Sequence, residues 1–126
     1  MLRILAVVMG ETLMAGSAVV EAVGNHLAVD MRTVWAPDDV FFNLIRDRQV
    51  VSALLREVGG KRVADGNVTE KIKTQKGIII DFLTGANHRK KVEHWVPKWL
   101  GFPAATYTER RFTTLEKWQS VSALIR

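Results

Sequence analysis

Apolar residues recur at helical spacing along most of the chain, and turn residues separate the runs. Leu2 to Met14 and Ser17 to about Leu27 predict two helices, with a break at Gly16-Ser17 and Ser17 as the cap of the second. No alternation with a period of two is present, so strands are not expected here. The apolar face of the second helix is predicted to hold Val19, Val20, Val23 and Leu27.

Two more helices are predicted in the middle of the chain. Pro37 and the pair Asp38-Asp39 suit a helix start, because proline fits the first turn and acidic residues complement the helix dipole. Asp47 is predicted to cap the following helix, which Gly59-Gly60 ends. The predicted buried positions are Val40, Phe41, Leu44 and Ile45 in the first of these helices, and Val51, Leu54, Leu55 and Val58 in the second.

The clearest helix is predicted over Thr69 to Thr84, after a short turn or helical piece at Lys61 to Asp65. Asn67 stands at the N-cap position and Glu70 follows three residues later, as in a capping box, while Gly85 follows the last turn. Lys73 and Lys76 flank its apolar face and are expected to reach solvent. That face is predicted to comprise Ile72, Ile78, Ile79, Phe82 and Leu83.

The last third of the chain predicts a basic loop and two helices. Asn87 to Lys91 is the loop, and Val92 to Trp99 is a short helix that Pro97 breaks, with Trp95 and Trp99 on its buried side. A final amphipathic helix is predicted from Leu115 to Ile125. The fold prediction is therefore all-α: one helical bundle of about six helices over residues 1–126, in which 104–126 either completes the domain or forms a separate tail.

The bulk composition fits a single globular domain. The chain has 126 residues, of which 48% are hydrophobic and 25% charged, and this balance argues against disorder. It has no cysteine, which excludes disulfides, thiol catalysis and cysteine-based zinc sites. No apolar stretch reaches the roughly 20 residues that span a bilayer. Glu11 interrupts the apolar run near the N-terminus, so we expect a buried helix, not a secretion signal, and a cytoplasmic location.

The charge is unevenly distributed. Residues 61–98 contain nine Lys or Arg against four Asp or Glu, whereas the rest of the chain contains nine of each. One segment thus carries the whole excess of +5, which indicates an anionic partner, with DNA the expected one. The alternative is a solvated surface that keeps the domain dispersed.

The candidate nucleic-acid-binding residues lie in this segment. Lys and Arg neutralise phosphates and release counterions, and histidine rings can stack on bases. Three adjacent cations repel one another unless they are solvated or meet an anion, which makes the loop the strongest candidate. The full set is Lys61, Arg62, Lys73, Lys76, His88, Arg89, Lys90, Lys91 and Lys98.

No catalytic, metal or cofactor site is predicted. His88 and His94 are six residues apart, whereas two metal ligands on one helix prefer spacings of three or four. No serine lies in a G-x-S-x-G elbow, and no glycine-rich phosphate loop is present. We therefore expect a protein that is not an enzyme.

Two stretches resemble the C-terminal region of long ParB-like partition proteins of alphaproteobacteria. They are WAPDDVFFNLIRDRQVVSALLREVGG, from Trp35, and TEKIKTQKGIIIDFLTGANHRKKVEHWVPKWLGFPAATYT, from Thr69. The resemblance spans roughly Met1 to Thr108 and lies in the Phe41-Phe42 pair, the IRDR run, the GANHR-to-WVPKW passage and the FPAATYT ending. The residues from Thr113 onward fit it less well.

The resemblance implies a role in DNA segregation without an activity of its own. In that family the arginine-rich phosphate-binding box and the helix-turn-helix belong to upstream domains, and neither motif is present here. The C-terminal parts of such proteins often dimerise and sometimes bind DNA without sequence preference. The predicted function is a non-catalytic accessory domain that contacts DNA, and a homodimer is one expected state. The alternative is an oligomerisation or protein-docking module that makes no contact with DNA.

Overall fold

The computed structural model describes residues 1–5 and 17–105. Residues 2–5 are helical, two short 3₁₀ turns occur at Met31–Thr33 and Lys98–Leu100, and the described residues contain no strand. The all-α prediction is therefore confirmed, while the predicted final helix lies outside the described residues. The α-helices are α1 (Ala18–His26), α2 (Asp39–Leu44), α3 (Arg48–Gly59), α4 (Lys61–Gly66) and α5 (Ile72–Thr84).

Side-chain caps start three of these helices. Ser17 accepts from the backbone N–H of Val20 at 3.4 Å and Asp47 from that of Gln49 at 2.8 Å, so both predicted caps are confirmed. Asp38 caps α2 by accepting from the N–H of Phe41 at 2.9 Å. Pro37 therefore lies before the cap, and not in the first helical turn as predicted.

Helix α3 forms the centre of the core. It packs most extensively on α4 and α5, and all four of its predicted core positions are buried. Such burial stabilises the fold by about 1.5–3 kcal/mol for each large aliphatic side chain. The residues that share this core with α3 are Phe42, Ala64, Ile79 and Trp95.

Helix α5 starts later than predicted, and the capping box is wrong. Its N-cap is Lys71, which makes no side-chain cap, while Asn67 closes α4 by donating from Nδ2 to the Val63 carbonyl at 2.8 Å. The reason is non-local. Arg48 donates to the carbonyl of Glu70 at 3.0 Å, and the buried Gln75 side chain donates to that of Asn67 at 2.8 Å. These bonds hold residues 67–71 as a turn.

The predicted apolar face of α1 is largely wrong, and that of α2 is only half right. On α1, Val19, Val23 and Leu27 are exposed, whereas Glu21, Ala22 and Gly24 face inward. The chain returns to this side of α1: Ala104 donates its backbone N–H to Glu21 Oε1 at 2.6 Å, and the Phe102 ring lies against Gly24. In the stripe predicted for α2, Val40 and Leu44 are exposed, whereas Phe41 and Ile45 are partly buried against the core and Phe42 is fully part of it.

The predicted helix from Val92 to Trp99 is absent. Residues 92–97 have no helical structure, and only the 3₁₀ turn Lys98–Leu100 follows them. His94 adopts a left-handed conformation with φ of 51°, and Pro97, which is fully buried, offers no N–H for a helical hydrogen bond. Trp95 is nevertheless buried, as predicted.

Candidate nucleic-acid interface

Helices α3 and α5 run parallel, and α4, which follows α3 in the chain, packs on α3. At one end, a Cβ on Gly59 would lie 2.8 Å from the Phe82 ring, so the last turns of the two helices touch. At the other end, Arg48 in the first turn of α3 reaches the carbonyl of Glu70, just before α5. The C-termini of both helices, and the start of α4, therefore meet at one end of the pair.

The basic loop folds over this end. Gly85 ends α5 in the left-handed conformation, with φ of 77°, that glycine adopts without strain. The N–H of Val92 then donates to the Phe82 carbonyl at 2.9 Å, and the Arg89 guanidinium lies 4.8 Å from the centre of the Phe82 ring. One side chain, Phe82, thus contacts both the Gly59-Gly60 turn and the basic loop.

We call this end of the helix pair the basic corner. It is built by the start of α4, by the loop and by the 3₁₀ turn after it. These segments carry seven of the nine predicted candidates. The residues of the basic corner are Lys61, Arg62, His88, Arg89, Lys90, Lys91 and Lys98.

The other two candidates lie elsewhere. Lys73 is exposed in the first turns of α5, about 15 Å from its C-terminus at 1.5 Å per residue. Lys76 is partly buried, and its ammonium group donates to the Phe42 carbonyl. The expectation that Lys76 reaches solvent is therefore wrong, because it joins α2 to α5.

Three lysines of the basic corner already interact with acidic residues in the described part of the chain: Lys61 and Lys91 form ion pairs, and the charge of Lys98 acts on Glu57. Lys61 bonds to Asp65, which Arg56 also reaches at 3.0 Å, and Lys91 lies 3.1 Å from Glu93. The hydrogen bond from Lys61 holds the pKa of Asp65 below its ordinary value, and the bond from Lys91 does the same to the pKa of Glu93. These pairs are exposed, so each contributes little to stability.

Arg62 and Lys90 differ from those lysines. Both are exposed, and neither forms an ion pair with another residue in the described part of the chain. Arg62 lies in the first turn of α4, where the helix dipole disfavours a positive charge. Helix stability therefore gives no reason for a cation at this position.

The aromatic residues near the basic corner are not presented to solvent for stacking. Trp95 is buried, and its indole N–H donates to Glu57 Oε1 at 3.1 Å. Trp99 is half-buried, with its ring centre 6.1 Å from that of Phe41. The surface that the corner offers is thus cationic and not aromatic.

Glu57 is the residue of this region that the sequence did not single out. It lies in the last turn of α3 and is half-buried, and burial raises the pKa of its carboxyl group against the opposing effects of Trp95 and Lys98. Its one sequence signal is an acidic residue at the C-terminal end of a helix, where the dipole disfavours negative charge.

His88 and His94 are both exposed. Across residues 1–5 and 17–105, no group of three or more His, Cys, Asp or Glu side chains is placed to hold a metal ion. Within the same residues, no helix is long and apolar enough to cross a membrane.

Comparison with protein-family models, with curated proteins and with solved structures finds no match to this chain. The resemblance to ParB-like proteins therefore stays a prediction from the sequence.

Proposed function

We propose that the chain is a non-catalytic helical accessory domain that contacts DNA through its phosphate backbone at the basic corner. One observation carries the proposal. The excess charge lies within residues 61–98, and the parallel packing of α3 and α5 puts its two densest runs, Lys61-Arg62 and Arg89-Lys90-Lys91, in segments that meet at one end. A polyanion is the partner that such a cluster attracts most strongly.

Three side chains make the phosphate contacts in this proposal. Arg62 and Lys90 are exposed and have no acidic partner among the described residues, and Arg89 is held over Phe82 with a planar, permanently charged head group. Each phosphate they neutralise releases condensed counterions, so binding weakens steeply as salt increases. These contacts go to phosphates and not to base edges, so we expect no sequence preference, and the buried Trp95 offers no ring for base stacking.

The partition context comes from the sequence resemblance alone. In a ParB-like protein, an accessory domain with this charge adds sequence-independent affinity for DNA to that of upstream domains. The same cations also have a structural use, because positive charge at the C-termini of α3 and α5 complements both helix dipoles. That use accounts for cations in the loop but not for Arg62.

The test is binding to a short mixed-sequence DNA duplex across a salt series. We expect the domain to bind at low salt. The affinity should fall by about 10³-fold or less between 50 and 200 mM salt, since only a few phosphates are contacted. Replacing Arg89, Lys90 and Lys91 together by alanine should weaken binding at every salt concentration and flatten the salt dependence. Absent binding at low salt, or a triple variant that binds like the wild type, would contradict the proposal.

A second candidate function is oligomerisation or protein docking without DNA contact. The observation that favours it is the outward face of α1, where Val19, Val23 and Leu27 are 54%, 45% and 64% exposed. A row of exposed aliphatic residues on one helix is typical of an interface.

Light scattering over a concentration series separates the two candidates. Self-association through α1 predicts a dimer that the substitution Val23→Asp converts to a monomer, with duplex binding unchanged per chain. A strict monomer at the highest concentration counts against self-association.

A further inference from the structure

The loop that carries the basic corner is held by separate backbone and side-chain contacts, and not by regular secondary structure. Residues 86–97 contain no helix or strand, so no regular backbone ladder fixes their path. Their anchors include the backbone bond from Val92 to the Phe82 carbonyl, the bond from Asn87 Nδ2 to Asp81 Oδ2 at 2.9 Å, the indole bond from Trp95 to Glu57, and the burial of Pro97. The loop therefore keeps its shape only while these contacts hold.

This shape is one that the loop does not favour by itself. Asn87, His88 and His94 all adopt left-handed backbone conformations, with φ of 51°, 57° and 51°. Residues with a Cβ rarely adopt this conformation, because it brings Cβ too close to the following carbonyl oxygen. His94 immediately precedes Trp95, so loss of the Trp95 anchor lets His94 relax and displaces the neighbouring cations of the loop.

Glu57 is a costly choice for an anchor. Its Oε1 accepts the Trp95 indole N–H, but its Oε2 is buried without a hydrogen-bond partner among the described residues. The helix dipole at the end of α3 also disfavours its charge. A neutral amide would accept the same indole proton without burying a charge, so the anchor requires the acceptor oxygen and not the negative charge.

We propose that Glu57 is a positioning residue for the basic corner: through Trp95 it holds the loop so that Arg89 and Lys90 face a polyanion together. This inference rests on the proposed phosphate contact. For the removal of Glu57, it predicts a change in DNA affinity opposite to the change expected from charge alone. Removing a negative charge near a cationic site strengthens anion binding, whereas releasing the loop weakens it.

Three variants and a control distinguish the effect of losing the negative charge from the effect of releasing the loop. Glu57→Leu removes both the charge and the acceptor, and we expect it to weaken duplex binding by about five-fold. Glu57→Gln removes the charge but keeps an acceptor, so it should bind at least as tightly as the wild type. Trp95→Phe removes the donor without a change in charge and should weaken binding like Glu57→Leu. The control is Glu70→Leu, the same charge change at an exposed carboxylate that forms no side-chain hydrogen bond within residues 1–5 and 17–105.

Amide hydrogen exchange of residues 87–94 in the same proteins reports the loop directly. We expect faster exchange in Glu57→Leu and Trp95→Phe but not in Glu57→Gln or Glu70→Leu. Circular dichroism identifies folded variants, and Trp95→Phe supplies the test if Glu57→Leu does not fold.

The outcomes separate the two proposals. Wild-type protein that fails to bind duplex DNA contradicts the proposed function, and the exchange data then decide the anchoring on their own. Exchange that stays unchanged in Glu57→Leu and Trp95→Phe overturns the positioning role. So does a Glu57→Leu variant that binds duplex as tightly as, or more tightly than, the wild type.

Discussion

Helices α1 and α3 have a similar spacing of apolar residues but bury different kinds of residue. Each begins at a side-chain cap and carries aliphatic residues at helical spacing. In α3 the aliphatic residues are buried, with Leu54 and Leu55 fully inaccessible. In α1 they are exposed, and the buried side is made of Glu21, Ala22 and Gly24.

The difference arises from what reaches each helix from elsewhere in the chain. Helix α3 meets the broad apolar face of α5 and the smaller apolar surface of α4, formed by Val63 and Ala64. Helix α1 meets Phe102, whose ring occupies the space beside Gly24, and Ala104, whose backbone N–H donates to Glu21. Hydrophobic periodicity thus identifies a helix, but the side that is buried depends on its partner.

The largest expected effect comes from truncating the buried face of α3. Leu54→Ala should lower the free energy of unfolding by about 2–5 kcal/mol, because it removes apolar contacts and leaves a cavity. The matched change on α1, Val23→Ala, should alter it by no more than about 0.5 kcal/mol, since Val23 is exposed. Urea denaturation measures both values, and similar losses in the two variants would contradict the comparison.

A smaller loss is expected on the buried side of α1. In Gly24→Ala the new methyl group would overlap the Phe102 ring, so the return segment must shift, at a cost of about 1–3 kcal/mol. Gly66→Ala is the control, because a Cβ there meets no atom within 4 Å. Thermal unfolding that is equally unaffected in both variants would show that Phe102 does not pack on α1.

Alanine substitutions at Gly77, inside α5, and at Gly85, which follows its last residue, should change the stability of the protein in opposite directions. Gly77 lies inside the helix with open space around it, so Gly77→Ala should stabilise the protein by about 0.5–1 kcal/mol. Gly85 has φ of 77°, so Gly85→Ala should destabilise it by about 1 kcal/mol. Chemical denaturation of both variants checks the signs, and a stabilising Gly85→Ala would contradict the left-handed end of α5.

The smallest expected effect is the pH dependence that Glu57 contributes. Because burial raises its pKa in the folded state, the folded protein holds this proton more tightly than the unfolded chain does. The free energy of unfolding should therefore fall as the pH rises from the ordinary glutamate pKa through the raised one, and recover on acidification. Glu57→Gln lacks this contribution, so it should gain stability relative to the wild type as the pH rises through that window.

Denaturation at a series of pH values above about 4 measures this difference between the two proteins. A difference that stays constant, or that shifts in favour of the wild type as the pH rises, would contradict the raised pKa of Glu57.

Local signals in the sequence predicted much of the fold. The caps Ser17 and Asp47, the buried face of α3 and the glycine at the end of α5 all depend on neighbouring residues, and the structure confirms them. The predicted start of α5 was wrong, although the sequence from Asn67 to Glu70 matches a capping box. Arg48, far back in the chain, binds the carbonyls that the predicted first turn of α5 would have contained.

The candidate site shows the same limit. The sequence shows the positive charge of the run Arg89-Lys90-Lys91. The proximity of this run to Lys61-Arg62, however, depends on the parallel packing of α3 and α5. The anchor between Trp95 and Glu57 joins residues 38 positions apart, and no local pattern encodes such a pair.

The most direct test of the basic corner compares two double variants that remove the same charge from different places. Arg62→Ala with Lys90→Ala changes the corner, and Lys71→Ala with Lys73→Ala changes the opposite end of α5, where both lysines are exposed. In duplex titrations across a salt series, the corner variant should bind about ten-fold more weakly, with a salt slope smaller by about two, while the other stays close to the wild type. Equal weakening in both would mean that net charge alone attracts the DNA, and would contradict a contact at the basic corner.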